Sequence, residues 1–255
     1  MQLTPYRRVL ALPGLRALVV VALLARIPVI AAGVTLTLHV VLDLHRGYGA
    51  AGLVGAASTV GIALGSPLLG RLVDRRGLRL MLVVTTLVEA VFWSLAPALS
   101  YPALLVAAFL GGLFTLPVFS VVRQSLAALV GEADRRAAYS IDSMSTELSY
   151  MAGPTLAVLV VTQVSARAAM IAVGVTTVLA GLGLLALNPP TRAAHESAAD
   201  ATAVRRRDWL RARFVVVLLV SSATTIVLAG TDVALVAVLR AAGQLSWTGL
   251  VLAAW

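Results

Sequence analysis

The chain has 255 residues, 60% of them hydrophobic and 12% charged, with a mean hydropathy of +0.97. An ordinary soluble domain carries roughly a quarter charged residues, so this composition excludes one. The formal charge of +9 comes from 20 basic residues, all arginine, against 11 acidic ones, and the lack of cysteine removes disulfides and thiolate metal sites. A helix needs roughly 20 apolar residues to cross about 30 Å of hydrocarbon. Runs of that kind fall near 15–40, 48–70, 79–98, 102–126, 138–163 and 167–188, with a seventh near 213–239. Residues 1–14 are too polar for a secretory apolar region and no small-residue cleavage site follows, so the first run reads as a retained anchor. The connections from Pro97 to Pro102 and from Gln163 to Arg167 are short and predict antiparallel neighbours.

Between the second and third runs lies GRLVDRRGLR, Gly70 to Arg79, which crowds five charges into ten residues. A short loop this basic cannot sit in hydrocarbon, and arginines beside membrane spans stay in the cytoplasm. Arg7, Arg8, Arg16, Arg123, Arg135, Arg136 and the arginines after residue 190, up to Arg213, fall on the same side. Arg46, Arg167 and Arg240 fall on the other. The asymmetry predicts a multi-pass protein of the cell (inner or plasma) membrane with its N-terminus in the cytoplasm, and explains the charge without a nucleic-acid partner.

Read as G-x-x-x-D-R-x-G-x-R, the same stretch resembles the signature between the second and third helices of major facilitator superfamily transporters. The family pattern carries two adjacent basic residues after its second glycine; here Leu78 takes the first position and Arg79 keeps the second. The resemblance implies an all-α membrane fold, a six-helix bundle of two inverted three-helix repeats. On that basis residues 1–188 form the N-terminal bundle, 189–212 a cytoplasmic connector, and 213–255 the start of a second, incomplete bundle. An internal echo agrees: Gly65-Ser66-Pro67-Leu68 in span two returns as Gly153-Pro154-Thr155-Leu156 in span five, and Pro28 in span one as Pro117 in span four. The segment matching the basic stretch, Ala157 to Arg167, has lost nearly all its charge, as an inverted repeat requires. The connector ends in a basic cluster around Trp209 that fits an amphipathic surface helix or a plain solvated linker equally. Trp247 to Trp255 reads as less than half of an eighth span, so a truncated frame or a fragment is expected, lacking most of its C-terminal bundle.

Ionisable residues inside spans are the first functional suspects, because each is costly unless paired or wet. Arg26 shares a stripe with Ile30, Gly33 and Thr37 in span one. The resemblance places spans one, four and seven around the central cavity, implying contact of Arg26 with an anionic substrate or a facing carboxylate; a structural pair is the other reading. Span five opens with Asp142, Ser143, Ser145, Thr146, Glu147, Ser149 and Tyr150, too polar for lipid on every face. Glu147 is a candidate proton carrier there, and Asp142 either joins that pathway or pairs with a loop arginine. Asp232, on a stripe with Ser221, Thr225 and Leu228, is a further proton or cation candidate. Glu89, beside Thr85, Thr86 and Trp93, lies in a span that packs outside the cavity in the resembled family, which implies a structural hydrogen-bonding role. Gly65, Pro67, Gly153 and Pro154 are candidates for bending spans two and five, and glycine there permits close helix approach. Gly153-Pro154 is also similar to the fifth-helix motif of antiporters in the family.

The resemblance further implies a gate made of Gly70, Asp74, Arg75, Gly77 and Arg79, with Asp74 accepting hydrogen bonds from Arg123. His39, His45 and His195 are scattered, no phosphate-binding loop is present and no nucleophile–base spacing is visible, so neither metal, cofactor nor enzymatic activity is expected. The expected function is secondary transport, proton-coupled export of a small organic molecule by alternating access, with the bilayer, that substrate and protons as partners. A non-transporting remnant, or a half-transporter that binds a partner, is the alternative.

Overall fold

A computed structural model of the chain describes residues 4–191, 212–244, 247, 248, 250 and 251. Its helices are α1 (Thr4–Leu10), α2 (Leu15–Leu42), α3 (Tyr48–Arg76), α4 (Leu78–Leu95), α5 (Tyr101–Leu113), α6 (Val118–Leu129), α7 (Arg135–Gln163), α8 (Ala166–Leu187) and α9 (Ala212–Ala241). There is no strand among the described residues. Among the described residues seven stretches are long and apolar enough to cross a membrane, α5 and α6 together making one of them. The connector around Trp209 and most of the expected eighth span lie outside the described residues.

Two boundaries differ from the sequence reading, each for a physical reason. The basic stretch is not a loop: α3 continues to Arg76, and the connection to α4 is Gly77 alone. At 29 residues and 1.5 Å per residue α3 reaches about 43 Å, so its last turns clear a hydrocarbon layer of about 30 Å while still helical. Gly77 turns the chain at φ 84°, ψ 166°, a conformation essentially reserved for glycine. Span four, expected to be continuous, breaks over Phe114–Pro117. Pro117 has no N–H to donate, and the Phe114 N–H folds back to the Gly111 and Gly112 carbonyls. Pro28, Pro67 and Pro154, by contrast, sit inside helices that run on through them.

Helix α2 packs along α7 and α8, α3 along α5, and α4 along α8. Span one thus meets span five as span two meets span four, the pairing two inverted three-helix units would give. Both contacts use glycine for close approach. A Cβ at Gly65 would overlap the Leu113 carbonyl, and one at Gly61 the Phe109 carbonyl. Gly153 sets α7 on α2, with its Cβ position 3.0 Å from the Ile27 carbonyl oxygen. Hydroxyls on outer faces bond their own helix one turn back, as Ser94 does to Ala90 and Ser66 to Ile62, each at 2.6 Å. Such bonds keep polar side chains satisfied where no water is present.

The apolar core divides along the helix axes. One cluster, with Leu15, Leu18, Leu69, Met81, Leu126 and Leu184, fills the arginine-rich end. A second, with Val40, Val54, Trp93, Leu104 and Met170, fills the other. At that second end Arg46 stacks over Tyr101, Arg240 over Tyr48, and Arg167 donates to the Pro97 carbonyl at 3.4 Å. Helix α9 joins the bundle there through the buried Val236.

Candidate functional site

Two polar sites interrupt this apolar interior. The first is an ion cluster. Arg26 sits eleven residues into α2, about 16 Å along the helix from Leu15, and is fully buried. Helical side chains lean toward the helix N-terminus, so the guanidinium reaches toward the arginine-rich end and meets α7. Its Nη2 donates to Asp142 Oδ1 at 2.6 Å, and Nη1 lies 3.4 Å from the Asp142 carbonyl oxygen. The Phe119 ring of α6 covers the guanidinium at 5.1 Å. Arg123, on α6 and two-thirds exposed, brings Nε to 3.6 Å from Asp142 Oδ2. A single buried carboxylate therefore holds arginines from two other helices. The polar opening of α7 is divided by its helical period: Asp142, Ser145 and Ser149 face inward, while Ser143, Glu147 and Tyr150 are exposed. Ser149 closes the buried stripe by donating to the Ser145 carbonyl at 2.8 Å.

The second site is a cavity of about 260 Å³ bordered mainly by the second apolar cluster. Its walls come from α2, α3, α4, α5 and α8, with Thr115 contributed by the break in span four. Glu89 of α4, 7% exposed, is the one carboxylate on its wall, and no arginine or histidine lines it. The Trp93 indole Nε1 donates to Glu89 Oε2 at 2.8 Å. The Leu116 N–H, freed by the helix break, points at Oε1 from 3.4 Å, with the Thr115 hydroxyl alongside. Phe92 and Trp93 stand edge to face, centroids 5.0 Å apart, as an aromatic wall. Hydroxyls of Thr37, Ser58, Thr59 and Thr177 contribute the remaining polar lining.

The sequence candidates distribute unevenly over these sites. Arg26, Asp142 and Arg123 come together, 116 residues separating the first two. Arg26 is not on the cavity wall, although Gly33 and Thr37 of its predicted stripe are. Arg123 has Asp142 as a nearby carboxylate. Asp74 lies exposed near the end of α3 with Arg75, and Gly70 has open space around it. Arg79 is exposed at the start of α4. Glu147 looks outward from α7. Asp232 falls within α9, but its side chain lies outside what is described. Glu89, expected from the resemblance to make a structural hydrogen bond outside the central cavity, does hold Trp93 and also lines the cavity beside α4. The missed signal was Gly111-Gly112 followed by Pro117 within a single span.

No group of three or more metal-binding side chains occurs among the described residues. Neither a curated protein nor a solved structure gives a match to the chain. The profile of the Major Facilitator Superfamily matches residues 18–255, from the first turn of α2 onward and through both polar sites. By that match, and by its all-helical architecture with seven apolar crossing stretches, the chain belongs to the Major Facilitator Superfamily and is a multi-pass membrane transporter of that type.

Proposed function

We propose that the chain works in proton-coupled export of a small organic molecule by alternating access, in the cell membrane, with its N-terminus and arginine-rich end in the cytoplasm. The observation that carries the reading is the Arg26–Asp142–Arg123 cluster. It ties span one to spans four and five, across the two three-helix units, through a single carboxylate. Such a joint suits a switch: changing the charge on Asp142 weakens two pairs at once, and with them the contact between the units. Asp142 is too enclosed to trade protons directly with water, whereas Glu147, five residues on and exposed, is placed to receive one. The arginine bias supports the orientation, the cavity supports a small organic substrate, and the likeness of Gly153-Pro154 to the antiporter motif supports export.

Asp74, Arg75 and Arg79, around the single-residue turn at Gly77, form the cytoplasmic gate in this reading. Reconstituted into proteoliposomes with an imposed proton gradient and an internal pH dye, the protein is expected to move protons when substrate is supplied. Asp142→Asn and Glu147→Gln should each lower this flux about tenfold or more at equal incorporation, the range lost when a general acid or base is removed. Asp74→Asn should lower it less by slowing the gate. Unchanged flux in Asp142→Asn and Glu147→Gln would remove the proton pathway, and unchanged flux in Asp74→Asn would remove the gate.

A further inference from the structure

We infer that the cavity beside Glu89 is a binding site for a small organic cation, a protonated amine carrying an aromatic or compact apolar body. The inference rests on the transporter reading and adds the substrate class.

Four observations converge on it. A carboxylate buried at membrane depth needs a positive partner or a dense set of donors, because a bare charge in a low-dielectric medium is very costly. Among the described residues no arginine or histidine forms an ion pair with Glu89 or stands on the cavity wall. Its protein donors, the Trp93 indole, the Leu116 amide and the Thr115 hydroxyl, are all neutral, so the protein supplies no cation to offset a charge on it. That space, about 260 Å³, is far more than a proton or a bare metal ion requires and falls just below the usual range for organic ligands. The wall next to the carboxylate is Phe92 and Trp93, and indole is the strongest aromatic partner for a cation. Elsewhere the lining is mainly apolar, with hydroxyls on two sides, which suits an amine with a hydrocarbon body and repels anions. Gly33 of α2 and Gly55 of α3 both line the cavity, and each has open space where a side chain would begin.

The test is equilibrium dialysis of the purified full chain in detergent with three probes of one size: benzylamine, benzyl alcohol and benzoate. Benzylamine should bind saturably, benzyl alcohol at least about tenfold more weakly, and benzoate without saturation, since losing one partner of a buried charge pair costs that much or more. Glu89→Gln should erase the preference for the amine over the alcohol. Gly55→Leu leaves Glu89 in place, has open space at its Cβ and adds bulk to the cavity lining; it should abolish saturable binding while circular dichroism stays unchanged. It keeps the inference testable should Glu89→Gln fail to fold. Equal binding of amine and benzoate, an amine preference that survives Glu89→Gln, or no saturable binding by the folded protein would overturn the assignment. Binding is read without a gradient, so it separates from the transport reading. Amine binding without proton-driven flux would uphold the site and count against that reading, and flux with no amine binding would do the reverse.

Discussion

Asp142 and Glu89 are both carboxylates buried in membrane-crossing helices, 3% and 7% exposed, and they are neutralised by different means. Asp142 has two arginines, one of them fully buried and capped by a phenyl ring. Glu89 has an indole, a backbone amide released by a broken helix, and a cavity. The first arrangement is closed upon itself and binds helices to each other. The second stands on the wall of a space that a ligand can enter. Burial of an ionisable group therefore marks a site without saying which kind; the partner decides.

The largest expected effect tests the closed site. Asp142→Ala leaves the Arg26 guanidinium fully buried without a counter-charge, which costs about 3–5 kcal/mol when a buried pair loses one member. Thermal unfolding in detergent, followed by circular dichroism, should show a large drop in midpoint. The double variant Arg26→Met with Asp142→Leu should recover most of it, because no charge then remains in the apolar interior. A single variant that melts like the parent would mean that Arg26 finds another partner and that the cluster does not join the helices.

Intermediate effects come from the glycines that set helix spacing and turn. Gly65→Ala drives a Cβ into the Leu113 backbone, so α3 and α5 must separate, at about 1–3 kcal/mol for an overpacked contact. Gly55→Ala, on the same helix, meets nothing and should instead raise the melting point slightly, by about 0.5–1 kcal/mol of helix propensity. Gly77→Ala forces a side chain onto φ 84°, ψ 166° and should cost about 1–3 kcal/mol of local strain. Its effect should appear mainly as faster proteolysis at the arginine-rich end, while the midpoint of the whole bundle moves little. Equal melting of the Gly65 and Gly55 variants would show that the α3–α5 contact is looser than drawn.

The spans were legible in the sequence because a bilayer imposes a length and a composition on every crossing, and Leu15–Leu42 or Ala166–Leu187 could hardly be read otherwise. The members of the ion cluster were legible one by one, since Arg26 and Asp142 each break an apolar pattern. Their pairing was not, because two positions 116 residues apart meet only through the packing of α2 on α7. The cavity was hidden for another reason. Apart from Pro97 and Pro102 at span ends, four prolines lie inside predicted spans, and local sequence treats them alike, yet of these only Pro117 accompanies a break. What differs is the Gly111-Gly112 pair one turn earlier and an acceptor, Glu89, supplied by a separate helix for the freed Leu116 N–H. Likewise the basic stretch looked like a loop from its charge, whereas helix length decides how far a charged segment stands from hydrocarbon.

The smallest expected effect tests the open site and completes the contrast with Asp142. Glu89→Gln removes the charge but keeps the shape and one side-chain acceptor. The amide oxygen can still take the Trp93 indole hydrogen, whose bond at 2.8 Å is shorter than that of the Leu116 N–H. The amide nitrogen then faces the Leu116 N–H, donor against donor, but that bond was already long at 3.4 Å. No arginine loses its partner, so the net cost should be about 1 kcal/mol or less, the worth of an ordinary hydrogen bond. The melting midpoint should barely move, and Trp93 should keep a buried emission maximum. A loss as large as that of Asp142→Ala would mean that Glu89 holds the bundle as a structural anion. Its cavity would then be a packing defect beside that anion.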